Sequence, residues 1–277
     1  MTNTKLMDVR ADILDEAKQE LDFRGIDRNA FPFLDAAEET ALWQANGRES
    51  RPAVCSCSRS RFKAIFFDLD GTLMETIPGI CDSYQMSFRD FKLPVPSDAH
   101  VMKDIGRPLQ TVIQEQVPAN KRDAFRQTYR SYNQAMLKLG SPIFWPARNL
   151  IRDLTALRVP MGIVSSKGRT AVEINLESFG ASDSFLLRLT AEDTTEHKPS
   201  PQPLILAKAR MEAILGRPLA FSECAYVGDS VYDVASATAA GMTAAVVAWT
   251  HMPVSCLRRG GDFLLVRSVR DLLADNG

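Results

Sequence analysis

Four apolar residues, Ala64 to Phe67, run directly into Asp68-Leu69-Asp70-Gly71-Thr72-Leu73. A short unbroken apolar run reads as a strand buried on both faces, the signature of a parallel sheet. Residues two apart on an extended chain point to the same side. Asp68 and Asp70 therefore converge at the C-terminal end of this strand, where open α/β sheets place their ligands. Two neighbouring carboxylates repel each other, so a metal ion, a shared proton or both must offset the charge. One carboxylate can attack while the other moves a proton, a workable pair for phosphoryl transfer.

From Arg61 onward strand and helix patterns alternate. Strand signals fall at Ala64–Phe67, Met161–Val164, Leu186–Leu189, Ala225–Val227 and Ala244–Val247. Helical patterns run over Gly168–Phe179, Pro201–Leu215 and Tyr232–Ala240. This alternation predicts an α/β fold, a Rossmann-like parallel sheet core with helices on both faces. The stretch between the first two strands is too long for one crossover helix. Its patterns at Asp82–Phe91, Pro108–Gln116 and Lys121–Leu139 predict a small all-helical insert after the first strand, residues 78–146, hinged at Met74–Ile77 and Gly140–Pro146. Residues 61–77 and 147–277 are then the core.

Residues 1–60 differ from the rest. Val9, Ile13, Ala17 and Leu21 lie near helical spacing, and a Ser- and Arg-rich stretch before residue 61 reads as a linker. The segment is expected to be an appendage on the main domain, or an arm that docks a protein partner or a second copy. Six acids between Asp8 and Asp22 argue against a transit peptide, and no apolar run is long enough to span a bilayer. A net charge of −1 gives no basic field for nucleic acid or a membrane surface. Five irregularly spaced cysteines suit a reducing, cytoplasmic setting, and Cys55-Ser56-Cys57 lacks the further ligands of a zinc site.

Three other segments carry chemistry. Gly162-Ile163-Val164-Ser165-Ser166-Lys167-Gly168 ends a strand and opens a helix, so a hydroxyl and free N–H groups can cradle an anion. In Glu196-His197-Lys198-Pro199, the residue before proline is biased to extended backbone, from which Lys198 can reach inward as a point charge. Val227-Gly228-Asp229-Ser230-Val231-Tyr232-Asp233 ends a strand in Gly-Asp and places a second acid in the first turn of a helix. Asp229 suits a hard cation, with Asp233 supporting it.

Taken together, the four segments resemble the four motifs of the haloacid dehalogenase (HAD) superfamily, over about residues 62–274, with a helical cap of the type called C1. The resemblance implies that Asp68 is the nucleophile and Asp70 the general acid and base. It implies Mg²⁺ held by Asp68, the backbone carbonyl of Asp70 and Asp229, with Asp233 near the metal. Ser165, Ser166 and Lys198 then hold the phosphoryl group.

Within the superfamily, Lys198-Pro199-Ser200-Pro201-Gln202-Pro203, Gly162–Lys167 and Val247-Ala248-Trp249-Thr250 look like the phosphoglycolate phosphatase group, which includes PpaX-type pyrophosphatases. The likeness at Val247–Thr250, then Asp262-Phe263 and Asp271–Leu273, implies a C-terminal strand and a final helix. Arg107, in Gly106-Arg107-Pro108-Leu109, is the candidate for a substrate's second anionic group. The substrate implied is a small phosphorylated metabolite. A pyrophosphatase, a β-phosphoglucomutase-like phosphotransferase and a non-catalytic binding protein on the same scaffold stay open.

Overall fold

The computed structural model describes residues 60–273. The expectations for the N-terminal extension, as appendage, linker or docking arm, lie outside them.

Six strands form one sheet: β1 (Ala64–Phe67), β2 (Met161–Val164), β3 (Leu187–Leu189), β4 (Cys224–Gly228), β5 (Thr243–Val247) and β6 (Leu264–Val266). Their spatial order is β3-β2-β1-β4-β5-β6, and every neighbouring pair is parallel. The chain builds outward from β1 on one side, then crosses over and builds outward on the other. That reversal opens a crevice beyond the C-terminal ends of β1 and β4.

Strand alternation divides the buried residues between two layers. Ile65, Phe67, Ile163 and Val227 face α5 (Trp145–Ala156) and α6 (Arg169–Phe179). Ala64, Phe66, Val164 and Tyr226 face α7 (Gln202–Leu215) and α8 (Val231–Ala240). The sheet is thus covered on both faces, as its unbroken apolar strands require.

Between β1 and α5 the chain forms α1 (Ile77–Asp90), α2 (Asp98–Asp104), α3 (Leu109–Gln116) and α4 (Arg122–Lys138). These four helices share a core of their own around Phe88, Ile113, Phe125 and Tyr129. The two crossings between sheet and insert run side by side. The N–H of Glu75 donates to the Pro142 carbonyl at 2.8 Å, and that of Phe144 to the Leu73 carbonyl at 3.2 Å.

Several elements differ from expectation. Helix α1 begins five residues early, at Ile77, because Pro78 sits in its first turn, where a missing N–H costs nothing. Leu264–Val266 adds a sixth strand. The final helix is instead a single 3₁₀ turn, Val269–Leu272, capped by the Ser268 hydroxyl. Among the described residues no helix is long and apolar enough to cross a membrane.

Candidate active site

Asp68 follows β1, and its N–H extends the ladder by donating to the Val227 carbonyl at 2.9 Å. Its side chain is buried, and Oδ2 lies 3.0 Å from Lys198 Nζ. Oδ1 is also buried, yet it has no hydrogen-bond partner among the described residues. Asp229 follows β4. Its carboxylate accepts from the Thr72 hydroxyl at 3.2 Å, and its carbonyl accepts from the Thr250 hydroxyl at 2.6 Å.

Lys198 is the cation of this floor. Its side chain is 1% exposed, with Nζ 2.6 Å from Asp233 Oδ1 and 3.0 Å from the Tyr226 hydroxyl. That phenol in turn donates to the Val164 carbonyl at 2.7 Å. Asp233 is more committed than its sequence context implies. Its Oδ2 accepts from the Ser230 N–H at 2.9 Å and the Ser230 hydroxyl at 2.6 Å, closing a capping box on α8. It ties Lys198 to that helix.

Carboxylate oxygens of Asp68, Asp229 and Asp233 lie within 4.8 Å of one another, all buried. Three formal negative charges against the one positive charge of Lys198 leave two without a counter-ion. Burial raises the carboxyl of Asp68 most; Lys198 opposes this, Asp233 and Asp70 add to it, and the result is about 6. Burial, then the charges of Asp233 and Asp68, push Asp229 well above the usual carboxylate range. Asp233 is the exception. Burial would raise it too, but Lys198 and the Ser230 hydrogen bonds hold it low. Desolvation would lower Lys198, yet Asp233 and Asp68 carry it well above its ordinary value. Such a set fits a divalent cation: the acids are oxygen ligands, they are one cation short, and Asp68 Oδ1 lacks a partner.

Asp70 stands apart from that cluster. Its Oδ1 accepts from the Thr76 hydroxyl at 2.5 Å and from Lys167 Nζ at 2.7 Å. Ser165 is buried at the end of β2, and its hydroxyl accepts from the Lys167 N–H at 3.2 Å. Helix α6 starts where the sequence pattern places it, with Gly168 as its N-cap. The Arg169 N–H is given to Glu192 at 3.0 Å, so Ser165 and Ser166 line the site from a loop rather than from the helix end.

A cavity of about 370 Å³ lies between this floor and the helical insert. Asp68, Asp70 and Ser165 line one side, and Tyr84, Arg107 and Asn133 the other. Arg107 reaches the cavity already bound, with one guanidinium nitrogen 2.6 Å from Asp104 and another 2.5 Å from Glu115.

The sequence reading assigned no role to Thr76, Lys167 or Tyr226. Only Tyr226 carries a signal, since a tyrosine in an otherwise apolar buried strand needs a partner for its hydroxyl.

A family model for the haloacid dehalogenase-like hydrolases matches residues 65–247, which takes in all of these segments. The chain belongs to that family. It is 28% identical over 211 residues to the pyrophosphatase PpaX of Oceanobacillus iheyensis, covering 76% of this chain and 95% of the relative. It is 29% identical to a phosphoglycolate phosphatase of Yersinia pestis, over 65% of this chain and 80% of that one. In fold it is similar to a Bacteroides fragilis protein described as a haloacid dehalogenase-like hydrolase. There the TM-score is 0.67 at 23% identity, covering 75% of this chain and 98% of that one. The protein is thus a hydrolase of this family, and the sequence relatives it resembles are named as phosphatases.

For a haloacid dehalogenase-like hydrolase the turn after Asp70 must be tight. Gly71 has φ +75°, and a Cβ there would lie 2.3 Å from Asp229 Oδ2. Gly71→Ala is expected to cost about 1–3 kcal/mol and to displace Asp229. Thermal melts and phosphate release measured together test this; an unchanged melt with unchanged turnover would sink it.

Proposed function

We propose that the protein is a Mg²⁺-dependent phosphatase of the reducing cytoplasm that hydrolyses a small, phosphoglycolate-like phosphomonoester. The observation that carries this is Asp68: one oxygen is held by Lys198, the other is unpartnered, and its carboxylate belongs to a cation-deficient cluster at the base of a cavity. An Asp68 oxygen attacks phosphorus. The bond to the leaving oxygen breaks as Asp70 delivers a proton to it. Water then attacks the aspartyl-phosphate, Asp70 takes its proton, and inorganic phosphate leaves.

Ser165, Ser166 and Lys198 hold the phosphoryl oxygens through hydroxyls and an ammonium. Asp68, Asp229 and the Asp70 carbonyl would hold Mg²⁺, with Asp233 keeping Lys198 and α8 in place beside it. When bound, Mg²⁺ supplies positive charge to balance the acids and the transferring group. Arg107 is a substrate contact only if the substrate's anion displaces Asp104 or Glu115 from it. A pyrophosphatase is the second reading, favoured by the likeness to the Oceanobacillus iheyensis protein.

Phosphate release from p-nitrophenyl phosphate, phosphoglycolate and pyrophosphate tests both readings. Dialysis against EDTA should abolish release, and Mg²⁺ should restore it. Mg²⁺ should also raise the melting temperature, because a ligand of the folded state stabilises it. Release undiminished by EDTA, or a melt indifferent to Mg²⁺, contradicts the assignment of the metal.

A further inference from the structure

Asn133 lies on α4 and is 6% exposed. It lines the cavity, and its Nδ2 is buried with no hydrogen-bond partner among the described residues. A buried amide donor left unmade is costly, so its place on the wall of a ligand cavity calls for an acceptor from the ligand.

Three arginines of the insert also line that cavity: Arg107, Arg126 and Arg130. Two are committed. Arg107 is held by Asp104 and Glu115, and Arg126 by Asp123 at 2.6 Å and Gln110 at 2.5 Å. Arg130 is the exposed one, and no carboxylate of the described residues pairs with it. It precedes Asn133 by three residues on α4, so the two side chains share one face of the helix. A free guanidinium beside an orphaned amide donor suits an anionic oxygen group better than a hydroxyl or an apolar group.

We infer that Arg130 and Asn133 form the recognition point for an anionic group on the leaving side of the substrate, a carboxylate or a second phosphate. This rests on the phosphatase reading above and narrows it. The reacting phosphoryl group sits on the floor at Asp68, Ser165 and Lys198, and the far anion is read from the roof. The cavity, about 370 Å³, has room for both groups and the atoms between them. Arg107, the arginine that the cap loop offers first from sequence, is secondary.

The test compares kcat/KM for phosphoglycolate, pyrophosphate and p-nitrophenyl phosphate, whose leaving group carries no carboxylate or phosphate. The enzymes are wild type, Arg130→Ala, Arg130→Lys and Asn133→Asp, all with Mg²⁺. In Arg130→Ala the ratio of the preferred anionic substrate to p-nitrophenyl phosphate should fall by about tenfold or more. The loss should appear in KM rather than kcat, and Arg130→Lys should recover part of it. Asn133→Asp puts a negative charge at the amide position and should lower the same ratio further. Whichever of phosphoglycolate and pyrophosphate responds identifies the anion as carboxylate or phosphate. An equal change on all three substrates, or no change, overturns the inference and leaves the phosphatase reading standing. A wild type that releases phosphate from none of the three overturns the phosphatase reading itself. Arg130 is exposed, so its variants fold whatever happens at Asn133.

Discussion

Asp68→Asn should reduce phosphate release by on the order of 10⁴-fold or more, the scale of losing a nucleophile. The amide keeps the size of the side chain and cannot form the acyl-phosphate. The protein should not unfold. The carboxyl of Asp68 is raised to about 6, against about 3.9 in an unfolded chain. A raised acid binds its proton more tightly in the folded state, so its contribution is present at low pH and lost as pH climbs through about 4 to 6. Asp229 is displaced in the same direction. Without metal, wild-type stability should therefore decline over that window, and the decline should be shallower in Asp68→Asn. Urea unfolding at pH 4 and pH 7, after EDTA, measures both slopes. Turnover of the purified variant near the wild-type rate would remove Asp68 from its role. A steeper pH dependence in the variant would contradict the account of its burial.

Lys198→Met should be the most damaging substitution for the fold. The side chain is 1% exposed and lies between Asp68 and Asp233. Methionine fills similar volume but leaves buried carboxylates with no cation. Removing one partner of a buried ion pair typically costs about 3–5 kcal/mol, because the remaining charge is uncompensated. In a domain of this size that corresponds to a fall in melting temperature of about 10 °C. Phosphate release should be lost together with stability, since Lys198 is also proposed to hold the phosphoryl group. Calorimetry decides the structural part. A melt within a degree or two of wild type would mean that Asp68 and Asp233 do not depend on this ammonium.

The fold was legible where burial writes directly into composition. Strands β1, β2, β4 and β5 are almost wholly buried, and apart from Tyr226 and the first residue of β5, Thr243, they carry no polar side chain. Strand β6 was legible only through the family likeness beside Asp262-Phe263, not through an apolar run of its own. It is three residues long, half exposed at the edge of the sheet, and follows Gly260-Gly261-Asp262, which reads as a break. Helix α2 was hidden for a similar reason: it has one buried residue, Val101, and its only marker is the Ser97 N-cap.

The floor of the site was legible because strand ends must place its acids there. Partnerships between distant segments were not. Nothing in Thr76 or Lys167 announces a shared contact with Asp70. Nothing in Arg107 shows that Asp104 and Glu115 hold it. Asn133 lies on an ordinary amphipathic helix, and its orphaned donor exists only once the helix meets the cavity wall.

The paired crossings at Leu73–Glu75 and Pro142–Phe144 have an evolutionary consequence. Because exit and return are stitched to each other, whatever is spliced between them leaves the sheet's register untouched. A lineage that exchanged one roof for another would change what can enter the cavity while keeping the strand ends that carry Asp68 and Asp229.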